Sequence, residues 1–275
     1  MNTNTAEPQS ARGHRGDQLN DRVAIVTGAG SGLGKAIAEA LAAEGVTVVV
    51  NDIDTAGGTA VAEAIERTGG KASFQYGDVS QSKDIVAIIG AAVDRHGRLD
   101  ILVNNAGLQF VSPLADFPEE KWHQLIGVML TGPFLTTKYA FPHMQAQKRG
   151  RIINISSTLG LVSAEFKAAY VSAKHGVIGL TKVTALEGAP HNITAVAVCP
   201  SFIRTPLMEK QIAAQAKFHH LTEQEVVEKI MTAPTALKRL LEPEEVAALV
   251  VHLATDAAQC MTGSAIPIDC GLTAR

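Results

Sequence analysis

Along the chain, short apolar runs rich in β-branched residues alternate with longer stretches in which apolar residues recur at helical spacing. Val23–Thr27, Thr47–Val50, Ala72–Tyr76, Ile101–Asn104, Arg151–Ile155, Thr194–Cys199 and Ala265–Ile268 read as strands. They are continuous apolar runs rather than in-out alternations, the pattern of parallel strands covered by helices on both faces. The rhythm predicts an α/β fold built on a doubly wound parallel sheet. No linker interrupts it and no segment between strands is expected to bury a core by itself, so residues 21–275 read as a single domain. Residues 1–20 are polar and aperiodic and read as a disordered N-terminal tail. One segment breaks the rhythm: residues 206–241 carry a helical, mixed-charge stretch where a tight βα loop would suffice. Ligands of such folds bind beyond the carboxyl ends of the strands, so 206–241 is a candidate substrate lid.

The composition narrows the function by exclusion. In 275 residues, 24 Lys and Arg face 27 Asp and Glu, a net charge of −3, which lacks the basic bias of a nucleic-acid binder. No apolar run reaches the roughly 18 residues of a membrane span, and the first residues carry no apolar signal core, so a cytoplasmic protein with no membrane partner is expected. Cys199, Cys260 and Cys270 are too scattered for a disulfide framework and read as reduced thiols that fill space. The histidines form no metal-ligand grouping, and no metal is predicted.

The first strand runs into Gly28-Ala-Gly-Ser31-Gly32-Leu33-Gly34 and then into the helical pattern Ile37, Ala38, Leu41. A glycine-rich turn opening a helix is a phosphate site: Gly28 permits the turn, Gly32 lets backbone N–H groups approach a pyrophosphate, and Gly34 lets helix and sheet pack closely. The second strand leads to Asp52, placed to accept hydrogen bonds from an adenosine ribose. Its charge would repel a 2′-phosphate, and Ser31 and Ile53 offer no compensating cation, so NAD is expected over NADP. The competing reading of Asp52 is a helix cap, which Asp54 could equally provide. Asp78 and Val79 could flank the adenine, and Asn104, Asn105, Ala106 and Gly107 suit backbone contact with a flat ligand.

Of the three tyrosines, only Tyr170 has a lysine four residues on, Lys174, which places both on one helix face. Ser157 lies upstream at a strand end, where residues face the ligand crevice. A neighbouring ammonium and a positive nicotinamide ring would favour the phenolate and lower the tyrosine pKa. Tyr170 could then act as general acid/base, with Lys174 supplying charge and binding ribose and Ser157 holding the substrate oxygen. The bland readings are a surface Tyr/Lys pair and a serine in a turn.

These motifs, with Asn105-Ala-Gly107, Pro200-Ser-Phe-Ile203-Arg-Thr205 and Ile268-Asp-Cys-Gly271, resemble the short-chain dehydrogenase/reductase family from about residue 20 onward. The resemblance implies a Rossmann-type subunit, a nicotinamide cofactor also touched by Pro200, Ile203 and Thr205, and a homotetramer. Within that family, the stretches around Asn105, Tyr170 and Thr205 look like bacterial D-3-hydroxybutyrate dehydrogenases. There the residues matching Gln109, Lys167 and Gln211 bind the substrate carboxylate, which implies interconversion of D-3-hydroxybutyrate and acetoacetate. Leu159 stands at the position of a substrate-contacting histidine, Phe202 and Leu272 at those of two tryptophans, and Cys270 at that of a glycine. Met129, in the helical stretch Leu125–Leu135, replaces the asparagine of a catalytic tetrad. The departures leave another secondary alcohol or ketone, or a catalytically impaired NAD-binding protein, as alternative readings.

Overall fold

All seven apolar runs are strands: β1 (Val23–Thr27), β2 (Thr47–Asp52), β3 (Lys71–Tyr76), β4 (Ile101–Asn104), β5 (Gly150–Ile155), β6 (Ile193–Pro200) and β7 (Ala265–Ile268). In this computed structural model, residues 19–274 are described, so most of the expected tail lies outside the described residues. The strands form one seven-stranded sheet in the order β3-β2-β1-β4-β5-β6-β7, with every pairing parallel. Between them run α1 (Gly32–Ala43), α2 (Thr55–Arg67), α3 (Ser82–His96), α4 (Glu119–Ile126), α5 (Gly132–Gln147), α6 (Ala168–Gly188), α7 (Pro206–His219), α8 (Glu223–Val226) and α9 (Pro243–Ala254). This is the doubly wound Rossmann-type sheet that the alternation predicts.

Side-chain alternation divides each strand between two cores. On one face Ala24, Val26, Val48 and Val50 pack against Ile37 and Leu41 of α1 and Val246 and Val250 of α9. On the other, Val23, Ile25, Val49 and Leu102 meet Ile85 and Ile88 of α3 and Ala140 and Met144 of α5. Because β1 is buried on both faces, every one of its side chains must be apolar or satisfied. Its one polar residue, Thr27, donates to the Val103 carbonyl at 3.3 Å.

The chain reverses direction across the sheet between β1 and β4, since β1 leads outward to β2 and β3 whereas β4 leads to β5, β6 and β7. A crevice opens at the carboxyl ends of these neighbours. Its far side is shaped by α4 and α5, which join through a π-turn at Gly127–Thr131 rather than as the uniform helix expected around Met129. The extra backbone residue of a π-turn re-aims the side chains that follow it, a feature frequent beside functional sites.

Two expectations are corrected. The tail does not extend to residue 20, because Leu19 is buried in the core beside α1 and only 2% exposed. The segment 206–241 also has a small core of its own: Ile212 and Ala216 of α7 pack with Val226, Met231 and Leu240. Its stems are held together at the base by a parallel bridge between Ile203 and Leu241, with Arg204 N–H donating to the Leu241 carbonyl at 2.8 Å and Leu241 N–H to that of Phe202 at 2.9 Å. Pairing its ends lets this excursion pack as a unit above the strand ends.

Burial of Leu19 makes the start of the domain part of its stability. Leu19→Ala is expected to cost about 2–4 kcal/mol, the range for removing a buried leucine side chain, read as a lowered urea midpoint. An unchanged midpoint would return residue 19 to the tail.

Candidate active site

The crevice is a cavity of about 770 Å³, lined by the glycine-rich turn, the ends of β2, β4, β5 and β6, the π-turn and α7. Its first end is set by the turn from β1 into α1. Gly28 has φ +62°, and a Cβ there would stand 2.8 Å from the Ala106 Cα, so the backbone of the turn lies against the end of β4. A Cβ on Gly34 would run into the Gly28 carbonyl and come 2.5 Å from the Asn105 amide. Only glycine lets α1 start this close to the sheet. Ser31 precedes α1 with extended backbone and no side-chain cap, which leaves first-turn N–H groups directed at the crevice. An anion such as pyrophosphate satisfies those donors and the helix dipole together.

Asp52 closes the next part of the cleft. Its carboxylate accepts from Gly30 N–H at 2.8 Å and from Asp54 N–H at 2.9 Å. The capping alternative is thereby settled: Asp54 caps α2 through Ala56 N–H, while Asp52 lines the cavity at the glycine-rich turn. Gly30 was not among the expected site residues. A Cβ there would sit 2.9 Å from the Asp52 oxygen, a requirement visible only once β2 is paired beside β1. Asp78 and Val79 line the same region, joined by His123, Gln124, Gly127 and Val128. No local motif marks those four, which reach the cleft from α4 and from the π-turn that follows it.

At the other end, α6 presents Tyr170 and Lys174 on one face, with the Lys174 Nζ 5.6 Å from the phenol ring centroid. Lys174 is 5% exposed, and its ammonium donates to the Ile155 carbonyl at 2.7 Å. Burial lowers its pKa to about 8, partly opposed by nearby Cys199. Ser157 stands close enough to the Tyr170 phenol to lower its pKa, and it caps the short turn Thr158–Gly160, accepting from Leu159 N–H at 3.1 Å. The surface-pair reading therefore fails, whereas the turn-serine reading describes a second job of the same hydroxyl. In the chain alone the phenol is not lowered as expected beside the ammonium and a nicotinamide ring together: burial raises Tyr170 above the ordinary tyrosine value, with Ser157 pulling the other way. Met129 contributes to that burial, packing with Leu125, Ala169 and Ala173 in the apolar cluster that flanks Tyr170.

Gln109, after β4, and Gln211, on α7, meet over the cavity, the Gln211 amide donating to the Gln109 Oε1 at 2.6 Å. Lys167 is less well placed than expected. It precedes α6 as its N-cap and does not line the cavity, although burial lowers its ammonium pKa. Pro200, Ile203 and Thr205 line the cleft as expected, and Thr205 caps α7 by accepting from Met208 N–H at 3.3 Å. Cys270, where the resemblance places a glycine, has φ +55°, so the backbone keeps the left-handed turn despite the side chain. Cys199 and Cys270 are buried and Cys260 is exposed. Among the described residues no cluster of three or more His, Cys, Asp or Glu could hold a metal ion, and no helix is long and apolar enough to cross a membrane.

The tight turn yields a test. Gly34→Ala is expected to weaken binding of a nicotinamide dinucleotide by about tenfold or more, since the added methyl forces the turn and α1 apart. NADH fluorescence titration reads the change; an unaltered Kd would place the dinucleotide elsewhere.

Comparison with known proteins agrees with this geometry. Residues 22–216 match the model of the short chain dehydrogenase family. An uncharacterized oxidoreductase of Bacillus subtilis is 43% identical over 94% of this chain and 100% of its own length. D-beta-hydroxybutyrate dehydrogenases of Rhizobium meliloti and Cupriavidus necator are 41% and 39% identical, over 92% and 94% of this chain and 99% and 100% of their own. With the sheet order, the glycine-rich turn and the Ser157, Tyr170 and Lys174 cluster in place, the chain belongs to the short chain dehydrogenase family of oxidoreductases.

Proposed function

We propose that the protein is an NAD-dependent dehydrogenase that interconverts D-3-hydroxybutyrate and acetoacetate. The observation that carries this reading is the Gln109–Gln211 pair, two amides joined at 2.6 Å across the cavity that also holds Ser157, Tyr170 and Lys174. Amide N–H groups are donors a small carboxylate requires, and the Lys167 ammonium joins them by swinging in from its place before α6. The names of the Rhizobium and Cupriavidus relatives support the same substrate. Asp52 supports NAD, because its carboxylate is tethered at the glycine-rich turn and repels a 2′-phosphate.

A nicotinamide dinucleotide held along the cleft by the glycine-rich turn, Asp52 and Thr205 would supply the hydride acceptor or donor, and its positive oxidised ring would add the attraction for phenolate that the buried site otherwise withholds. Tyr170 takes the hydroxyl proton on its phenolic oxygen, and Ser157 hydrogen-bonds the same substrate oxygen. Lys174, held by the Ile155 carbonyl, keeps positive charge beside the ring and favours the ionised phenol. Gln109 and Gln211 exchange their mutual hydrogen bond for the carboxylate as 206–241 closes over it. The homotetramer belongs to the same reading: Phe134 on α5 and Val183 and Leu186 on α6 are exposed apolar side chains that a partner subunit would cover.

A second reading, another secondary alcohol, is favoured by Leu159, Phe202 and Leu272. Phe202 packs against the small core of 206–241.

NADH formation is expected with D-3-hydroxybutyrate and NAD, with the L isomer and NADP at least about tenfold poorer in kcat/KM. Tyr170→Phe should bind NADH and lose turnover. Activity with other secondary alcohols alone would favour the second reading, and retained turnover in Tyr170→Phe would remove the tyrosine from its role.

Lys167 gives the carboxylate site a pH signature. Its pKa is lowered by burial, so its charge is lost as pH rises, before an ordinary lysine would titrate. KM for the hydroxy acid should therefore rise on the alkaline side, and Lys167→Ala should abolish that rise. A KM independent of pH in the parent would exclude Lys167 from carboxylate binding.

A further inference from the structure

Two hydrogen bonds join the end of β5 to the turn of α6 that carries Lys174. The Ser156 hydroxyl donates to the Lys174 carbonyl at 2.9 Å, and the Lys174 ammonium donates back to the Ile155 carbonyl at 2.7 Å. Ser156 is 2% exposed, and its backbone is fixed independently because its N–H continues the ladder to the Val198 carbonyl at 2.8 Å. The contact is also closed from the side. A Cβ on Gly160 would lie 2.5 Å from the Ser156 hydroxyl, 2.7 Å from the Lys174 carbonyl and 2.9 Å from Ile178, leaving no room for the helix to settle otherwise. Neither Ser156 nor Gly160 was among the expected site residues.

We infer that Ser156 is a positioning residue: its hydroxyl holds the Lys174 backbone against the end of β5, so that the lysine side chain bridges between the Ile155 carbonyl and the Tyr170 ring. The inference rests on the reading of Tyr170 and Lys174 given above. The physical argument is one of two anchors. A lysine side chain has four rotatable carbons and many rotamers, so one hydrogen bond at Nζ does not fix where the charge sits. Tying the backbone of the same residue to the same strand end removes much of that freedom and sets the strand-to-helix spacing over which Ser157 meets the phenol. A helix carbonyl has two lone pairs, so the Lys174 oxygen can take the serine in addition to its helical partner, and removal of the serine leaves it satisfied. Loss of the hydroxyl should therefore loosen Lys174 more than it loosens the fold.

The ammonium is faced by Tyr170 from its own helix, by Cys199 from β6 and by the Ile155 carbonyl from β5. Among these, the carbonyl is the fixed acceptor that favours the charged form. When the clasp loosens, that support weakens and Lys174 gives up its proton at lower pH.

The test is Ser156→Ala in the full chain, with the Lys174 titration followed by carbon-13 NMR of labelled lysines and its resonance assigned by absence from Lys174→Arg. The expected result is a Lys174 titration moved downward by about half a pH unit or more, with NADH affinity within about twofold of the parent. Ser156→Thr, which keeps the hydroxyl, should return the titration toward the parent value. A Lys174 titration unchanged in Ser156→Ala overturns the inference, and so does a Thr variant as shifted as the Ala variant. Both results are read without substrate turnover, so they stand apart from the fate of Tyr170→Phe and of the hydroxybutyrate assay.

Discussion

The site depends on one knot of hydrogen bonds where β1 and β4 end side by side. The Asn105 amide donates to the Thr27 and Gly28 carbonyls at 2.9 and 3.1 Å, while the Thr27 hydroxyl accepts from the N–H groups of Asn105 and Ala106 at 3.0 and 3.1 Å. At this point the two strands must send the chain in opposite directions, so their terminal peptide groups lose their ladder partners. A buried peptide group left unpaired costs a large fraction of a small protein's stability. The reciprocal bonds of Thr27 and Asn105 satisfy these groups and fix the glycine-rich turn against β4. The cleft is thus a consequence of satisfying the backbone at a topological switch.

A second buried polar chain carries the same order toward the chemical end. Thr136 donates to the Asn104 side-chain Oδ1 at 2.6 Å, the Asn104 side-chain amide donates to Asn154 Oδ1 at 2.8 Å, and that of Asn154 donates to the Thr181 hydroxyl at 2.9 Å. This chain links α5, β4, β5 and α6 beneath the carboxyl end of the sheet. Satisfied polar groups inside a core discriminate between registers more sharply than apolar ones, since a shift of one residue would strand each of them. The residues that position Lys174 and Ser157 lie at the ends of elements locked in this way. The sheet and α6 form one side of the site; the excursion 206–241 has its own small core and paired stems.

Electrostatics around Tyr170 and Lys174 depend on burial. The phenol is raised and the lysine lowered, each because the charged form loses water. Met129 deepens that effect by lining the region with a thioether in an apolar cluster. The expectation of a lowered phenol weighed the charges and left out the desolvation, which only three-dimensional packing could measure. In this arrangement the Ile155 carbonyl and the Ser156 clasp provide the fixed polarity around Lys174.

Seven strands, their parallel arrangement and the positions of the glycine-rich turn, Asp52 and the Tyr170–Lys174 pair were legible in the sequence because each follows from a local rule: continuous apolar runs, glycines at a strand end, a four-residue helical spacing. Boundaries moved by one or two residues, as at β2, which runs on to Asp52. What the tertiary structure alone decided are the relations between segments distant in the chain: Leu19 in the core, Gly30 against Asp52, Gln211 meeting Gln109 across 102 positions, Lys167 set back from the cavity, and Ser156 tied to Lys174. Periodicity specifies which face of an element is buried. It carries no information about which buried neighbour, from another element, supplies the hydrogen bond or fills the space, and at this site those choices set the positions of the reacting groups.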